Sequence, residues 1–125
     1  MSTIKLFDSV PKDCMHFYHD GHLDYEKVVR TLNLKKTDIS AATNIKVPSI
    51  RYDSKMPKEL ELRLLEWATA INLVAEFFND SNKTMIWFKT PNPQLGDMSP
   101  RDMIRIGRFK KLLSFIQSAL NENKE

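Results

Sequence analysis

Four residues near the N-terminus have side chains that commonly bind metal ions, namely Cys14, His16, His19 and His22. Zinc prefers cysteine and histidine ligands, and three of these side chains would converge if the segment were helical. Gly21 and the lack of a second cysteine argue against a closed site, and the spacing matches no standard zinc pattern. We therefore expect no metal and no cofactor, with the histidines on the surface.

No group of residues has the pattern of a catalytic site. The sequence contains neither a glycine-rich phosphate loop nor a nucleophile elbow, and its three histidines all lie within the first 22 residues. A general base needs a partner and a pocket, and nothing in the sequence places Asp97 or Asp102 in one. We predict that the protein is not an enzyme.

Residues 39–51 have the pattern of a helix-turn-helix. An apolar and a small residue come first, Asn44 suits a left-handed turn, and apolar residues follow it. A second helix starting near Pro48 would then point basic and polar side chains towards DNA. The predicted contacts with operator DNA are Lys36, Lys46, Ser49, Arg51, Tyr52 and Lys55. The alternative is a helical hairpin that only packs.

Residues 90–96 (TPNPQLG) form a second polar constellation. Prolines lower the entropy cost of ordering such a loop, and its amide side chains offer hydrogen bonds to a partner. The predicted contacts with a partner protein combine this loop with the basic residues after it: Asn92, Pro93, Gln94, Leu95, Gly96, Arg101, Arg105, Arg108 and Lys111. For Trp87, Leu95 and Pro100 we favour a packing role, because large apolar residues are usually core.

Composition bounds the class of protein. The chain of 125 residues is 42% hydrophobic and 28% charged, so it can bury a core and remain soluble. Its single cysteine fits a reducing compartment, and neither a membrane span nor a signal peptide is visible, so we expect a cytoplasmic protein. Within the net charge of +3, residues 27–58 hold eight Lys or Arg, a patch that would attract polyanions such as DNA.

Hydrophobic periodicity predicts that most of the chain is helical. The presence of only three glycines also favours helices over strands and their turns. The strongest apolar stripe predicts one long helix over residues 57–78. Shorter helices are predicted over residues 24–32 with Asp24 as cap, from Thr37, near residues 85–88, from Ser99 to Gly107, and over residues 109–120. An irregular lead-in, residues 1–22, would dock through Phe7, Phe17 and Tyr18.

We thus predict an all-α fold. An N-terminal helix-turn-helix over residues 23–58 would be joined by the long central helix to a small C-terminal helical bundle within residues 59–125.

The C-terminal part resembles a known family. A tryptophan, the loop Thr-Pro-Asn-Pro-x-Leu-Gly and a proline-led helix ending in glycine resemble the toxin-binding domain of the Xre/MbcA/ParS-type antitoxins. The resemblance covers residues 60–120, and the family's upstream Xre-like helix-turn-helix matches residues 24–56 more weakly. The matching positions are Trp87, Thr90, Pro91, Asn92, Pro93, Leu95, Gly96, Pro100 and Gly107.

This resemblance implies an antitoxin of a type II toxin–antitoxin system. It implies a cognate RES-domain toxin that consumes NAD⁺, repression of the antitoxin's own operon through operator DNA, and a homodimer. In the family the C-terminal end can enter the toxin's cleft, whereas here the tail after Leu120 is short. The alternative function is a stand-alone transcriptional regulator with a dimerising helical C-terminal domain.

Overall fold

A computed structural model describes residues 10–122, and helices dominate this part of the chain. The helices are α1 (Tyr25–Thr31), α2 (Lys36–Thr43), α3 (Lys58–Phe78), α4 (Ser81–Lys89), α5 (Pro100–Arg105) and α6 (Phe109–Glu122). A short antiparallel hairpin of β1 (Tyr18–His19) and β2 (His22–Leu23) precedes them. The predicted all-α class is confirmed. None of the described helices combines the length and apolar character needed to cross a membrane.

Local capping signals fix most of the helix ends. The side chains of Asp24, Asp80 and Ser99 each accept a hydrogen bond from the backbone N–H three residues later, at the starts of α1, α4 and α5. At the other end, Asn44 and Asn79 adopt left-handed φ angles of 63° and 53° and terminate α2 and α3. These short polar residues therefore set where the apolar helices stop.

The long helix α3 is the central element, as predicted. Leu60, Leu64, Trp67, Ile71 and Val74 lie on its stripe and are at most 5% exposed. Burying side chains of this size contributes about 1.5–3 kcal/mol each. Helices α1 and α2 pack against α3, as do α4 and α6, so both halves of the sequence share this helix.

One hydrophobic core extends across the predicted boundary between residues 23–58 and 59–125. It runs from Phe17 and Val28 to Ile104 and Ile116. Helix α5 contacts α2 as well as α4 and α6, so it joins the N-terminal and C-terminal helices. The domain division remains a prediction, and the described residues pack around a shared core.

The predicted second helix of the helix-turn-helix is wrong. Only a 3₁₀ turn, Val47–Ser49, is present, and residues 50–57 are irregular. Pro48 is tolerated in the first turn, but Pro57 disfavours a helical conformation at the residue before it. Asp53 pairs with Arg51 and accepts a hydrogen bond from the N–H of Lys55. Side chains two residues apart do not face each other on a helix, so this pair requires non-helical backbone.

The start of α2 also differs from the prediction. The helix begins at Lys36 and not after a cap at Thr37. The carboxylate of Asp38 accepts a hydrogen bond from the backbone N–H of Lys35 at 2.9 Å, which fixes the earlier start. Likewise, α4 starts at Ser81, before the segment that the apolar residues indicated.

Hydrogen bonds that the sequence did not predict hold the lead-in against α3. Asp13 accepts hydrogen bonds from the backbone N–H groups of Phe17 and Tyr18, both at 2.9 Å. Asn72 of α3 donates to Asp13 at 3.0 Å and accepts from the N–H of Met15 at 3.0 Å. Phe17 is fully buried and Tyr18 packs beside it, so their predicted docking is confirmed. Phe7 lies outside the described residues.

These hydrogen bonds also determine the charge state of Asp13. Burial alone raises the pKa of the carboxyl, but the N–H groups of Tyr18 and Phe17, the amide of Asn72 and the charge of His16 outweigh it and lower the pKa. A carboxyl with a lowered folded-state pKa stabilises the fold above its unfolded pKa. That contribution disappears as the pH falls through the folded value.

We predict that Asp13→Asn lowers the free energy of unfolding by about 1–3 kcal/mol near pH 7, because a charged acceptor of buried N–H groups is lost. The loss should shrink as the pH falls below the ordinary aspartate value of 3.8. Urea unfolding at several pH values measures both effects. Glu76→Gln, on the exposed face of α3, removes the same charge and should change neither. If the free energy of unfolding depended on pH in the same way in both variants, the stabilising role of Asp13 would be contradicted.

Candidate partner-binding surface

The loop after α4 is closed by its own backbone. The carbonyl of Asn92 accepts hydrogen bonds from the N–H groups of Leu95 and Asp97 at 2.9 and 3.0 Å. Its N–H donates to the carbonyl of Met98 at 3.0 Å, and its side chain accepts from the N–H of Gln94 at 2.9 Å. With every polar group of Asn92's backbone engaged, the loop is a pre-ordered structure and binding would require little further ordering.

The predicted loop residues have two different environments. Pro93, Gln94 and Gly96 are exposed, and they form the outer edge of the turn. Asn92 and Leu95 are half-buried, and Leu95 packs against the core. The outer residues are therefore available to a partner, whereas Asn92 organises the loop and Leu95 anchors it.

Trp87 and Pro100 support the loop from either side, as we favoured from sequence. Pro100 is buried at the first position of α5. Trp87 is half-buried, stacks on Phe115 with ring centroids 6.4 Å apart, and meets Phe88 edge-on at 5.1 Å. The loop thus sits between an aromatic cluster and the start of α5.

The predicted basic contact residues divide into structural and exposed groups. The guanidinium of Arg101 donates to the backbone carbonyls of Leu32 and Asn33 at 2.5 and 2.7 Å, at the C-terminal end of α1. Arg105 pairs with Asp102 at 3.2 Å, and with Asp38 of α2 at 3.8 Å. Both arginines thereby join α5 to the N-terminal helices, and their contact with a partner remains an untested prediction.

Arg108 and Lys111 are exposed, and so is the neighbouring Lys110. None of the three side chains has an ion pair within the described residues. They lie at the beginning of α6, where they border a cleft of about 470 Å³ between α2, α3 and α6. Of the predicted basic set, Arg108 and Lys111 are the residues without an ion pair among the described residues, so their charges are available to another molecule.

The same cleft contains residues that the sequence did not single out as functional. Arg63, Glu66 and Trp67 of α3 line it together with Arg108, Lys110 and Lys111. Sequence periodicity assigned Trp67 to the core, and it is 1% exposed. The sequence signal for this cleft is the basic run at the start of α6. Cations are unfavourable at a helix N-terminus, so such a run is unusual there.

The residues predicted to bind DNA do not lie on one helix. Lys36 begins α2, Lys46 and Ser49 lie at the 3₁₀ turn, and Lys55 lies in the irregular segment; all four are exposed. Tyr52 is half-buried and packs against the core. The predicted set is therefore spread over separate segments and does not form a recognition helix.

Arg51 already has a partner. It binds Asp53 through two hydrogen bonds of 2.8 and 2.6 Å, and this contact raises the pKa of Arg51 and lowers the pKa of Asp53. The two charges cancel, so Arg51 presents less net charge to a phosphate than a free arginine does.

The histidines near the N-terminus are exposed, as expected. Cys14 is half-buried. Within residues 10–122, no three cysteine, histidine or acidic side chains are grouped as metal ligands would be.

Comparison with known proteins shows a similarity of fold. No family model matches the chain, and no curated protein matches it. Among solved structures, a chain from the M. tuberculosis MbcT–MbcA toxin–antitoxin complex is similar, with a TM-score of 0.50 and 18% sequence identity. The similarity covers 81% of this chain and 94% of that chain. At this identity it shows a shared fold.

We predict that Arg101→Gln lowers the free energy of unfolding by about 1.5–3 kcal/mol, because charged hydrogen bonds to two backbone carbonyls are lost. Arg108→Gln is the matched control, and it should stay within about 0.5 kcal/mol of the parent. Denaturant unfolding measures both. Equal stabilities would show that the Arg101 contacts do not hold α5 against α1.

Proposed function

We propose that this protein is an antitoxin that binds and neutralises a toxin protein. The observation that carries the proposal is the fold similarity to a chain of a toxin–antitoxin complex, over 94% of that chain. The loop of residues 90–96 adds independent support, since its pattern resembles that of the toxin-binding domain in Xre/MbcA/ParS-type antitoxins. The protein acts by occupying its target and not by catalysis.

The toxin-binding surface in this proposal combines the outer loop residues with the free cations of α6. Pro93 and Gln94 project from a loop that needs little ordering, and Arg108 and Lys111 have unpaired charges. Such cations favour an acidic surface on the partner and steer its approach. The resemblance suggests a cytoplasmic RES-domain enzyme that consumes NAD⁺ as the target.

We further propose that the protein is a homodimer that binds operator DNA. Lys36, Lys46 and Lys55 are exposed and would contact phosphates, with Ser49 fixing register. An apolar groove lined by Phe77, Trp87 and Leu120 offers a surface for a second copy, and Phe77 is 50% exposed. Two copies would double the number of phosphate contacts that one chain supplies.

The test of toxin binding is co-expression with the product of the neighbouring reading frame. We expect the two proteins to co-purify and the antitoxin to restore growth. Combining Gln94→Ala, Arg108→Gln and Lys111→Gln should reduce affinity by at least about tenfold, because central polar and charged contacts carry much of the binding energy.

The control for this experiment changes charges on the other surface. Lys36→Gln, Lys46→Gln and Lys55→Gln together should leave toxin affinity unchanged. Absence of co-purification, with binding to the upstream DNA retained, would instead support a stand-alone transcriptional regulator. Equal loss from both triple variants would show that net charge, and not the proposed surface, determines binding.

For DNA, we predict that Lys46→Gln combined with Lys55→Gln weakens binding to the operon's upstream duplex and lowers the salt dependence by about two phosphate contacts. Fluorescence anisotropy at several salt concentrations measures this change. Arg51→Ala should have a smaller effect, because Asp53 already neutralises Arg51. Unchanged affinity in the lysine variant would remove this surface from the proposal.

A further inference from the structure

The cleft at the start of α6 concentrates positive charge. Four cations line it, and Glu66 is the acid among its lining residues. The cations are Arg63, Arg108, Lys110 and Lys111. Its volume of about 470 Å³ falls in the range of small-molecule pockets. A cleft with this charge balance attracts an anion.

The backbone adds hydrogen-bond donors to this charge. The first intrahelical bond of α6 runs from the N–H of Leu112 to the carbonyl of Arg108 at 3.2 Å. The N–H groups of residues 109–111 therefore precede the helical ladder. Arg108 occupies the capping position and has no side-chain oxygen to accept from them, unlike Asp24, Asp80 and Ser99 on other helices.

The basic residues lie at the unfavourable end of the helix dipole. Arg108, Lys110 and Lys111 surround the positive N-terminus of α6, where an acid or an anion would be stabilising. They also repel one another. A bound oxyanion would reverse both unfavourable terms, as anions do at other helix N-termini.

A buried donor supplies independent support for a ligand. Trp67 lines the cleft and is 1% exposed, and its indole Nε1 makes no hydrogen bond among the described residues. Buried indole N–H groups normally find an acceptor, since an unsatisfied one is costly. Trp67 therefore brings a donor without an acceptor to the wall of the cleft.

Glu66 does not cancel the attraction. Its carboxylate lies 3.1 Å from Nε of Arg63, which also binds Glu59 at 2.9 Å. Burial raises the pKa of Glu66 above its ordinary value, against the opposing effects of Arg63 and Lys110. Lys110 also interacts with this carboxylate, whereas Arg108 and Lys111 line the cleft and have no ion pair within the described residues.

We propose that this cleft binds the phosphate group of a small phosphate monoester. A phosphate dianion is attracted by several cations more strongly than a carboxylate is, and its oxygens can accept from the N–H groups at the start of α6. This site goes beyond toxin binding. It shares Arg108 and Lys111 with the proposed toxin surface, but its test uses the chain alone.

The experiment is a titration of the full-length chain with inorganic phosphate at constant ionic strength, followed by NMR. Trp67→Phe identifies the indole signal of Trp67. We expect that signal and the amide signals of residues 109–111 to shift with a common saturation curve. Phosphate should also raise the midpoint of thermal unfolding.

Arg108→Gln, Lys110→Gln and Lys111→Gln together should weaken phosphate binding by at least about tenfold, since three charge-assisted contacts are lost. Without phosphate this variant should be as stable as the parent or more so, which verifies that it folds. The matched control, Lys12→Gln with Lys83→Gln and Lys89→Gln, removes three exposed cations elsewhere and should retain affinity.

Three outcomes would overturn the proposal. They are the absence of saturable shifts, equal weakening in both triple variants, or shifts at Trp67 with duplex DNA but not with inorganic phosphate. The last would assign the cleft to the nucleic-acid backbone.

Discussion

The burial of α3 from both sides is the constraint on which the rest of the fold depends. Its apolar stripe is wide enough that α1 and α2, together with α4 and α6, use the same helix as their core. Helix α5 then links the two groups, since it contacts both α2 and α6. The residues proposed to contact a toxin or DNA consequently lie outside α3, on the loop before α5, at the start of α6 and between residues 36 and 55.

The sequence predicted those features that depend on neighbouring residues. Apolar spacing and caps such as Asp24 and Ser99 located most helices, because both signals act within one turn. Contacts between distant residues left no such signal: the bond between Asn72 and Asp13 joins residues 59 apart, and that from Arg101 to Leu32 joins residues 69 apart. The missing recognition helix is a different kind of error, because the residues of the motif are present but the Arg51–Asp53 pair and Pro57 favour non-helical backbone after Ser49.

The structure places the predicted contact residues in different environments, which their sequence pattern did not distinguish. Residues 90–96 do form a distinct loop. The polar groups of Asn92 make hydrogen bonds within this loop, whereas the side chain of Gln94 is exposed to solvent. Arg101 and Arg105 were equally basic in sequence to Arg108, but carbonyls of α1 and carboxylates of α2 and α5 engage them. A charge seen in sequence becomes a binding candidate only when the fold leaves it without a partner.

The cations at the start of α6 differ from Arg105 in both partners and position. Arg105 lies near the end of α5, where a cation is favourable, and it also has two acidic neighbours. Arg108, Lys110 and Lys111 follow within six residues but lie at the opposite kind of helix end, beside a buried donor that also lacks an acceptor. The helix dipole disfavours cations at this end, whereas the phosphate group proposed to bind there would be attracted by both the cations and the helix N-terminus.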